Sequence, residues 1–107
     1  MRALVTGGTG FIGSHLVQAL IRRGGEVAAL ARSPGKAEAL AALGARPVSG
    51  DLRRASGLKA AVERQEVVFH VAGLVKARNE AEYLAVNRDG TGRLAAAAAH
   101  AGVRRFV

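Results

Sequence analysis

The apolar positions of this chain change period along its length, and the changes mark its elements. Residues 2–6 carry the run Ala3-Leu4-Val5, closed by Thr6 and followed at once by glycines. A run that short, bounded by turn residues, predicts a buried strand. Next, Ile12, Leu16 and Leu20 recur at every fourth position, with Val17 and Ile21 beside them. That spacing makes one helical face, and Gly24-Gly25 stops the helix. Residues 27–31 form a second apolar run, too short for a helix. Ser33-Pro34 supplies a cap and a proline for the first turn, predicting a helix to about residue 43, closed by Gly44. Residues 46–49 are a weak strand containing Pro47, and Leu58, Ala61 and Val62 mark a short third helix. Residues 67–72 are the clearest strand, 73–79 a loop, and 80–101 a long helix closed by Gly102. Residues 104–107 begin another strand. Within the long helix, Gly90 and Gly92 together cost roughly 2 kcal/mol relative to alanine, so close packing against their backbone is expected. The alternation β-α-β-α-β-α-β-α-β predicts an α/β fold, a doubly wound parallel sheet with crossover helices on its faces.

Composition narrows the function classes. The 107 residues allow one domain, and the hydrophobic half of them can build a core. Aromatics are 4% of the chain, so that core is aliphatic. The formal charge of +8 invites a nucleic-acid partner, but 13 of the 16 basic residues are Arg dispersed along an Ala-rich chain. Nucleic-acid binding calls for a clustered basic face, often with interleaved aromatics, and a solvated surface fits this pattern better. The absence of cysteine excludes disulfides, thiolate metal sites and thiol catalysis. No apolar run approaches the roughly 18–20 residues of a membrane span. The N-terminus lacks the pattern of a signal peptide, which predicts a cytoplasmic protein with no membrane partner.

One motif carries chemistry. Gly8-x-Gly10-x-x-Gly13 follows a predicted strand and opens a predicted helix. That is the context in which a glycine loop binds a dinucleotide. Side chains on the loop would hold a pyrophosphate away from the backbone, and the helix N-terminus presents N–H groups and a positive dipole end to it. A small residue at Gly13 lets the helix lie against the strand. Arg32 bears on cofactor choice. A free ribose 2′-OH is held by a carboxylate near the end of the second strand. The chain has Ala31-Arg32-Ser33 there, with Lys36 one turn on. A guanidinium in that place suits a 2′-phosphate, so NADP(H) is favoured over NAD(H).

The run Thr6-Gly7-Gly8-Thr9-Gly10-Phe11-Ile12-Gly13 resembles the opening of the extended and atypical short-chain dehydrogenase/reductases, the superfamily of sugar-nucleotide epimerases, dehydratases and dihydroflavonol-reductase-like enzymes. The resemblance continues through Gly50-Asp51-Leu52, Val68-Phe69-His70-Val71-Ala72-Gly73, Val86-Asn87-Arg88-Asp89-Gly90-Thr91 and residues 102–107. It implies a Rossmann-type sheet of order 3-2-1-4-5. It also implies that Gly7 through Gly13 hold the cofactor phosphates, that Asp51 accepts from the adenine amino group and that Leu52 packs on the ring. Val71, Ala72 and Gly73 would line the cofactor, and Asn87 would buttress the fourth strand and the active-site backbone. Such enzymes act by hydride transfer on a carbinol or carbonyl of a small-molecule substrate. Their Ser, Tyr and Lys come after the fifth strand. Tyr83, followed four residues later by Asn87 instead of Lys, does not match that pair and reads as packing. The chain therefore reads as the N-terminal, cofactor-binding part of an enzyme, with the substrate-binding part lying beyond residue 107 and no turnover expected from this part alone. A homo-oligomer through the long helix fits the same reading. Alternatives are a non-catalytic, redox-sensing dinucleotide module and, less favoured, a basic nucleic-acid-binding protein. His70 reads as a hydrogen-bonded strand residue. His15 and His100 lack metal-like partners at helical spacing, and no metal is expected.

Overall fold

A computed structural model describes residues 1–71 and 79–107. Ala72 and Gly73, expected at the cofactor, lie outside the described residues, as do most of the predicted loop 73–79 and the side chain of Tyr83. Strands β1 (Arg2–Thr6), β2 (Glu26–Ala31), β3 (Arg46–Ser49), β4 (Val67–His70) and β5 (Arg105–Phe106) form one parallel sheet of order β3-β2-β1-β4-β5. The helices are α1 (Phe11–Arg22), α2 (Pro34–Ala42), α3 (Leu58–Val62), α4 (Glu80–Tyr83) and α5 (Gly90–Ala101). Element order and strand order both agree with the sequence reading.

The period-2 pleat of the central strands divides the core into two layers. Ala3 and Val5 of β1 join Val27, Ala29 and Ala31 of β2 against Val17 and Leu20 of α1 and Leu40 of α2. Leu4 and Ala28 point the other way, onto Leu58 and Val62 of α3 and Leu94 and Ala98 of α5. Ala3, Leu4, Val5 and Thr6 are all fully buried, as befits a central strand covered on both faces. The alanines of β2 let α1 and α2 approach the sheet without large side chains between. Ser33 caps α2, its hydroxyl accepting from the Lys36 N–H at 3.3 Å with Pro34 next to it. Asn79 caps α4 in the same way, accepting from the Glu82 N–H at 2.8 Å.

Three expectations are corrected. The run from Glu80 to Ala101 is helical throughout but not uniformly α: residues Leu84–Asp89 form a π-helical segment between α4 and α5. A hydrogen bond explains part of the distortion. Thr91 donates its hydroxyl to the Asn87 carbonyl at 2.7 Å, the acceptor four residues back that an α-helix reserves for a backbone N–H. The expected close approach to the helix glycines also holds only in part. Gly90 is buried, but Gly92 is exposed on α5 and a Cβ there would meet nothing within 4 Å among the described residues. The fourth strand ends at His70, although the Val71 N–H still reaches the Thr6 carbonyl at 3.2 Å.

Candidate functional site

In this strand order the chain leaves β1 to one side and returns beside it as β4, so a crevice opens beyond the carboxyl ends of these two strands. The glycine loop leaves β1 there. Gly7 has φ +74°, a conformation that favours glycine, and its carbonyl accepts from the Gly10 N–H at 3.1 Å. Gly10 is the N-cap of α1, and its carbonyl takes the Ser14 N–H at 2.9 Å. Among the described residues no side chain caps α1, so its leading N–H groups remain available to a ligand.

The glycines differ in purpose. A Cβ on Gly13 would lie 1.8 Å from the Gly7 carbonyl oxygen, so Gly13 is required by the fold itself. One on Gly8 would press on Leu40 of α2 at 2.7 Å. Among the described residues, one on Gly10 would meet only the Gly7 carbonyl oxygen at 3.4 Å, an ordinary contact. The fold does not demand glycine there; an approaching phosphate would. Thr9 and Gly10 are exposed, and Phe11 and Ile12 stand 81% and 69% exposed beside the loop, an unusual position for large apolar side chains in a chain with so small a core. Phe11 stacks obliquely on His15, ring centres 4.7 Å apart.

The second half of the site lies at the ends of β2 and β3. Arg32 follows β2 directly and is exposed, while Lys36 is half-buried in the first turn of α2. Asp51 follows β3 and is held by a residue the sequence reading did not single out. Arg53 reaches its carboxylate through Nη2 at 2.8 Å and Nε at 3.2 Å, and the Arg53 N–H adds a bond of 2.9 Å. That guanidinium, with Arg32 contributing at longer range, holds the Asp51 carboxyl below its ordinary value and keeps it a pure acceptor. An adenine amino group would share this carboxylate with Arg53. The only sequence signal for the pair is the i, i+2 spacing in a turn. Leu52 is buried with Leu58 and Val62 and its carbonyl accepts from Arg93 at 3.2 Å, so little of its side chain is left to face a ring.

At the ends of β1 and β4, Thr6 pairs with His70 in register. His70 is a hydrogen-bonded strand residue, bridging Thr6 Oγ1 and Thr91 Oγ1 at 2.8 Å each. Burial holds its imidazole below the ordinary pKa. Val71 is 36% exposed beyond it, and Asn87 lies half-buried in the π-helical segment. The structure thus gathers Gly7–Gly13, Val71 and Asn87 around the β1/β4 crevice, with Arg32, Lys36 and Asp51 at the neighbouring strand ends. Among the described residues no cluster of His, Asp and Glu could hold a metal ion, and no helix is long and apolar enough to cross a membrane.

The model of the NAD dependent epimerase/dehydratase family matches residues 3–107. The chain belongs to this family. It is 43% identical, over its whole length and 32% of the other protein's, to a 4-hydroxy-2-methyl-3-oxo-4-farnesyl-3,4-dihydroquinoline-1-oxide ketoreductase of Stigmatella aurantiaca. It is 41% identical to a ceramide reductase of Caulobacter vibrioides, over 96% of this chain and 32% of the other. Among solved structures, the UDP-glucose 4-epimerase of Thermus thermophilus in complex with NAD superposes with a TM-score of 0.86 at 35% identity, over 99% of this chain and 36% of that one. The chain thus spans about a third of the length of these relatives. It carries the nicotinamide-dinucleotide-binding fold of an oxidoreductase and epimerase/dehydratase family.

Proposed function

We propose that residues 1–107 are the dinucleotide-binding part of a cytoplasmic enzyme that transfers hydride to or from a carbonyl or carbinol, with NADP(H) as the favoured cofactor. The observation that carries the reading is the Gly7–Gly13 loop: Gly13 seats α1 against the loop carbonyl, and Gly10 leaves open the space above an uncapped helix N-terminus. The donor set fits a pyrophosphate, because backbone N–H groups and a helix dipole favour anionic oxygens. When bound, the nicotinamide supplies the hydride donor or acceptor. The chain's own residues bind and orient. Gly7 to Gly13 hold the phosphates, with Phe11 and Ile12 shielding them from water, and Asp51 takes the adenine end, while Leu52 stays in the core. Val71, just past β4, lines the cofactor, and Asn87 supports the adjoining backbone.

Arg32 supports the preference for NADP(H). It stands at the end of β2, where a carboxylate would select a free 2′-OH, and Lys36 adds a second cation one turn on. Hydride transfer at a carbonyl or carbinol is in line with relatives named as a ketoreductase and as a 3-beta-hydroxysteroid dehydrogenase. Of the Asn, Ser, Tyr and Lys set that such chemistry uses, residues 1–107 supply only Asn87 in a matching place. The remaining groups and the substrate pocket are assigned to further sequence, in line with the length of the relatives. Self-association is placed on the long helix. A groove of about 570 Å³ between α3 and α5 has a floor of Ala55, Ala96, Ala97 and Ala101 and also takes in Lys59, Glu63, Arg93 and His100, so a second copy would meet small side chains and charged ones together. Calorimetric titration tests the central claim. The native protein is expected to bind NADP(H), and Gly10→Val, at a position where the fold accepts a Cβ, is expected not to. Unchanged affinity in that variant overturns the site.

A further inference from the structure

His70 joins three segments that are far apart in sequence. Its Nδ1 lies 2.8 Å from the hydroxyl of Thr6, the last residue of β1 and the one directly before the Gly7 turn. Its Nε2 lies 2.8 Å from the hydroxyl of Thr91, in the first turn of α5. Thr91 in turn donates its single hydroxyl proton to the Asn87 carbonyl at 2.7 Å. A carbonyl can only accept, so the Thr91 oxygen has no proton left for the ring. Nε2 must therefore be the donor, and in the neutral ring Nδ1 is the acceptor and the Thr6 hydroxyl donates to it. Proton direction is thereby fixed along the chain from Thr6 through His70 and Thr91 to Asn87. Burial of the ring, which disfavours its cation, agrees with this. Thr6 is fully buried and held in register opposite His70, so the ring links the start of the glycine loop to Thr91 in the first turn of α5.

We propose that His70 is a positioning residue, a strut in the Nε2–H tautomer that sets the spacing between the glycine loop after Thr6 and the helical segment bearing Asn87. One face of the site binds the dinucleotide in the reading above, and the other adjoins its reactive end. The strut makes the geometry of one depend on the other. A hydrophobic residue of similar size would fill the space but fix neither hydroxyl. Asparagine reaches as far as the Nδ1 position and can accept from Thr6 alone. Glutamine reaches the Nε2 position and can donate to Thr91 alone. The two amides divide the strut into halves.

The test combines nitrogen-15 NMR of the histidine ring with binding of NADP and NAD to the purified protein; the strut rests on the dinucleotide reading only for the binding readout. The ring spectrum is expected to show a protonated Nε2 and an imine-type Nδ1. His70→Leu is expected to shift the amide signals of both Gly7–Gly10 and Asn87–Thr91 and to weaken dinucleotide binding about tenfold, the worth of roughly one hydrogen bond. His70→Asn keeps the affinity better than His70→Gln, because it retains the bond on the loop side. If the leucine variant does not fold, the amide pair and Thr91→Val carry the test, the valine variant being expected to free the ring from the Nε2–H tautomer. An Nδ1–H tautomer in the native protein overturns the strut, as does a set of variants that perturbs only one of the two segments or leaves affinity untouched. Failure of the native protein to bind either cofactor overturns the dinucleotide reading instead, and the ring spectrum and amide shifts then decide the strut on their own.

Discussion

A Cβ on Gly13 would sit 1.8 Å from the carbonyl oxygen of Gly7. No rotamer change relieves such a contact, because both partners are backbone. Gly13→Ala is therefore expected to separate α1 from the loop and to cost several kcal/mol, of the order seen for severe overpacking. Gly10→Ala, with only an ordinary contact at 3.4 Å, is expected to leave the melting temperature near that of the native protein while weakening dinucleotide binding. Thermal unfolding and calorimetry on the two variants separate the roles. A Gly13→Ala protein as stable as the native one would show that the loop is not packed as described.

Arg32 makes a prediction about discrimination. A charge-assisted bond to a 2′-phosphate contributes about 1.5–3 kcal/mol, which corresponds to about tenfold to a hundredfold in affinity. The native protein should prefer NADP over NAD by that factor, and Arg32→Glu should erase or reverse the preference by setting like charges together. Lys36→Ala should narrow it less, since the side chain is one turn further on. Equal binding of the two cofactors by the native protein removes Arg32 from the site.

The architecture was legible in the sequence because its determinants are local. Ile12, Leu16 and Leu20 recur with the helical period, while the run at Ala3, Leu4 and Val5 is too short to be anything but a strand, and Gly24, Gly44 and Gly102 close helices with positive φ. What was not legible depends on partners remote in sequence. The π-helical segment accompanies a hydroxyl of Thr91 that is also tied to His70, 21 residues earlier. The fork of Arg53 on Asp51 is close in sequence but needs the turn after β3 to bring the groups together. Gly92 misled for the opposite reason: a glycine inside a helix implies a close neighbour, and among the described residues there is none.

Gly92 consequently offers a stabilising substitution. Its backbone is helical, and among the described residues nothing within 4 Å would be displaced by a methyl group. Gly92→Ala should raise stability by about 1 kcal/mol, through helix propensity and a less flexible unfolded chain. Urea unfolding checks it. A loss of stability would mean that another surface covers this face of α5.

The two perturbed groups of the site predict the response to acid. His70 has a folded pKa below its ordinary 6.5, so between those values the unfolded chain binds more protons than the folded one. Its contribution is complete above pH 6.5 and is lost as pH falls through the folded value. Asp51, held down by Arg53, acts in the same direction but lower on the scale: its contribution is complete above 3.8 and is lost on further acidification. Denaturant midpoints measured against pH should therefore decline in two stages as acid is added. His70→Asn should flatten the first stage, and Arg53→Met should lessen the second, to which Glu66, held down by the Arg2 N–H, also contributes. A native midpoint that rises as pH falls below 6.5 would contradict the buried neutral imidazole.

Residues 1–107 prepared as a separate polypeptide should bind cofactor without turning it over. Hydride transfer at a carbonyl needs a positioned acid/base, and in this family a Tyr fills that role, with a Lys four residues on to lower its pKa. The one tyrosine in this stretch is Tyr83, followed four residues later by Asn87, and it precedes β5 in the chain where the family's tyrosine follows that strand. His70 is no substitute. Both ring nitrogens are already engaged, by Thr6 and Thr91, so neither can deliver a proton to a substrate without breaking the bridge. Asp51 is locked by Arg53 and lies at the end of β3, two strands away from β1 in the sheet. The measurement is absorbance at the nicotinamide band with NADP or NADPH and a panel of alcohols, ketones and nucleotide sugars. No steady change is expected in any combination, while calorimetry on the same sample shows binding. Steady turnover that disappears in Gly10→Val would mean that a residue within this stretch supplies the acid, and the division of labour between cofactor-binding and catalytic segments would have to be redrawn.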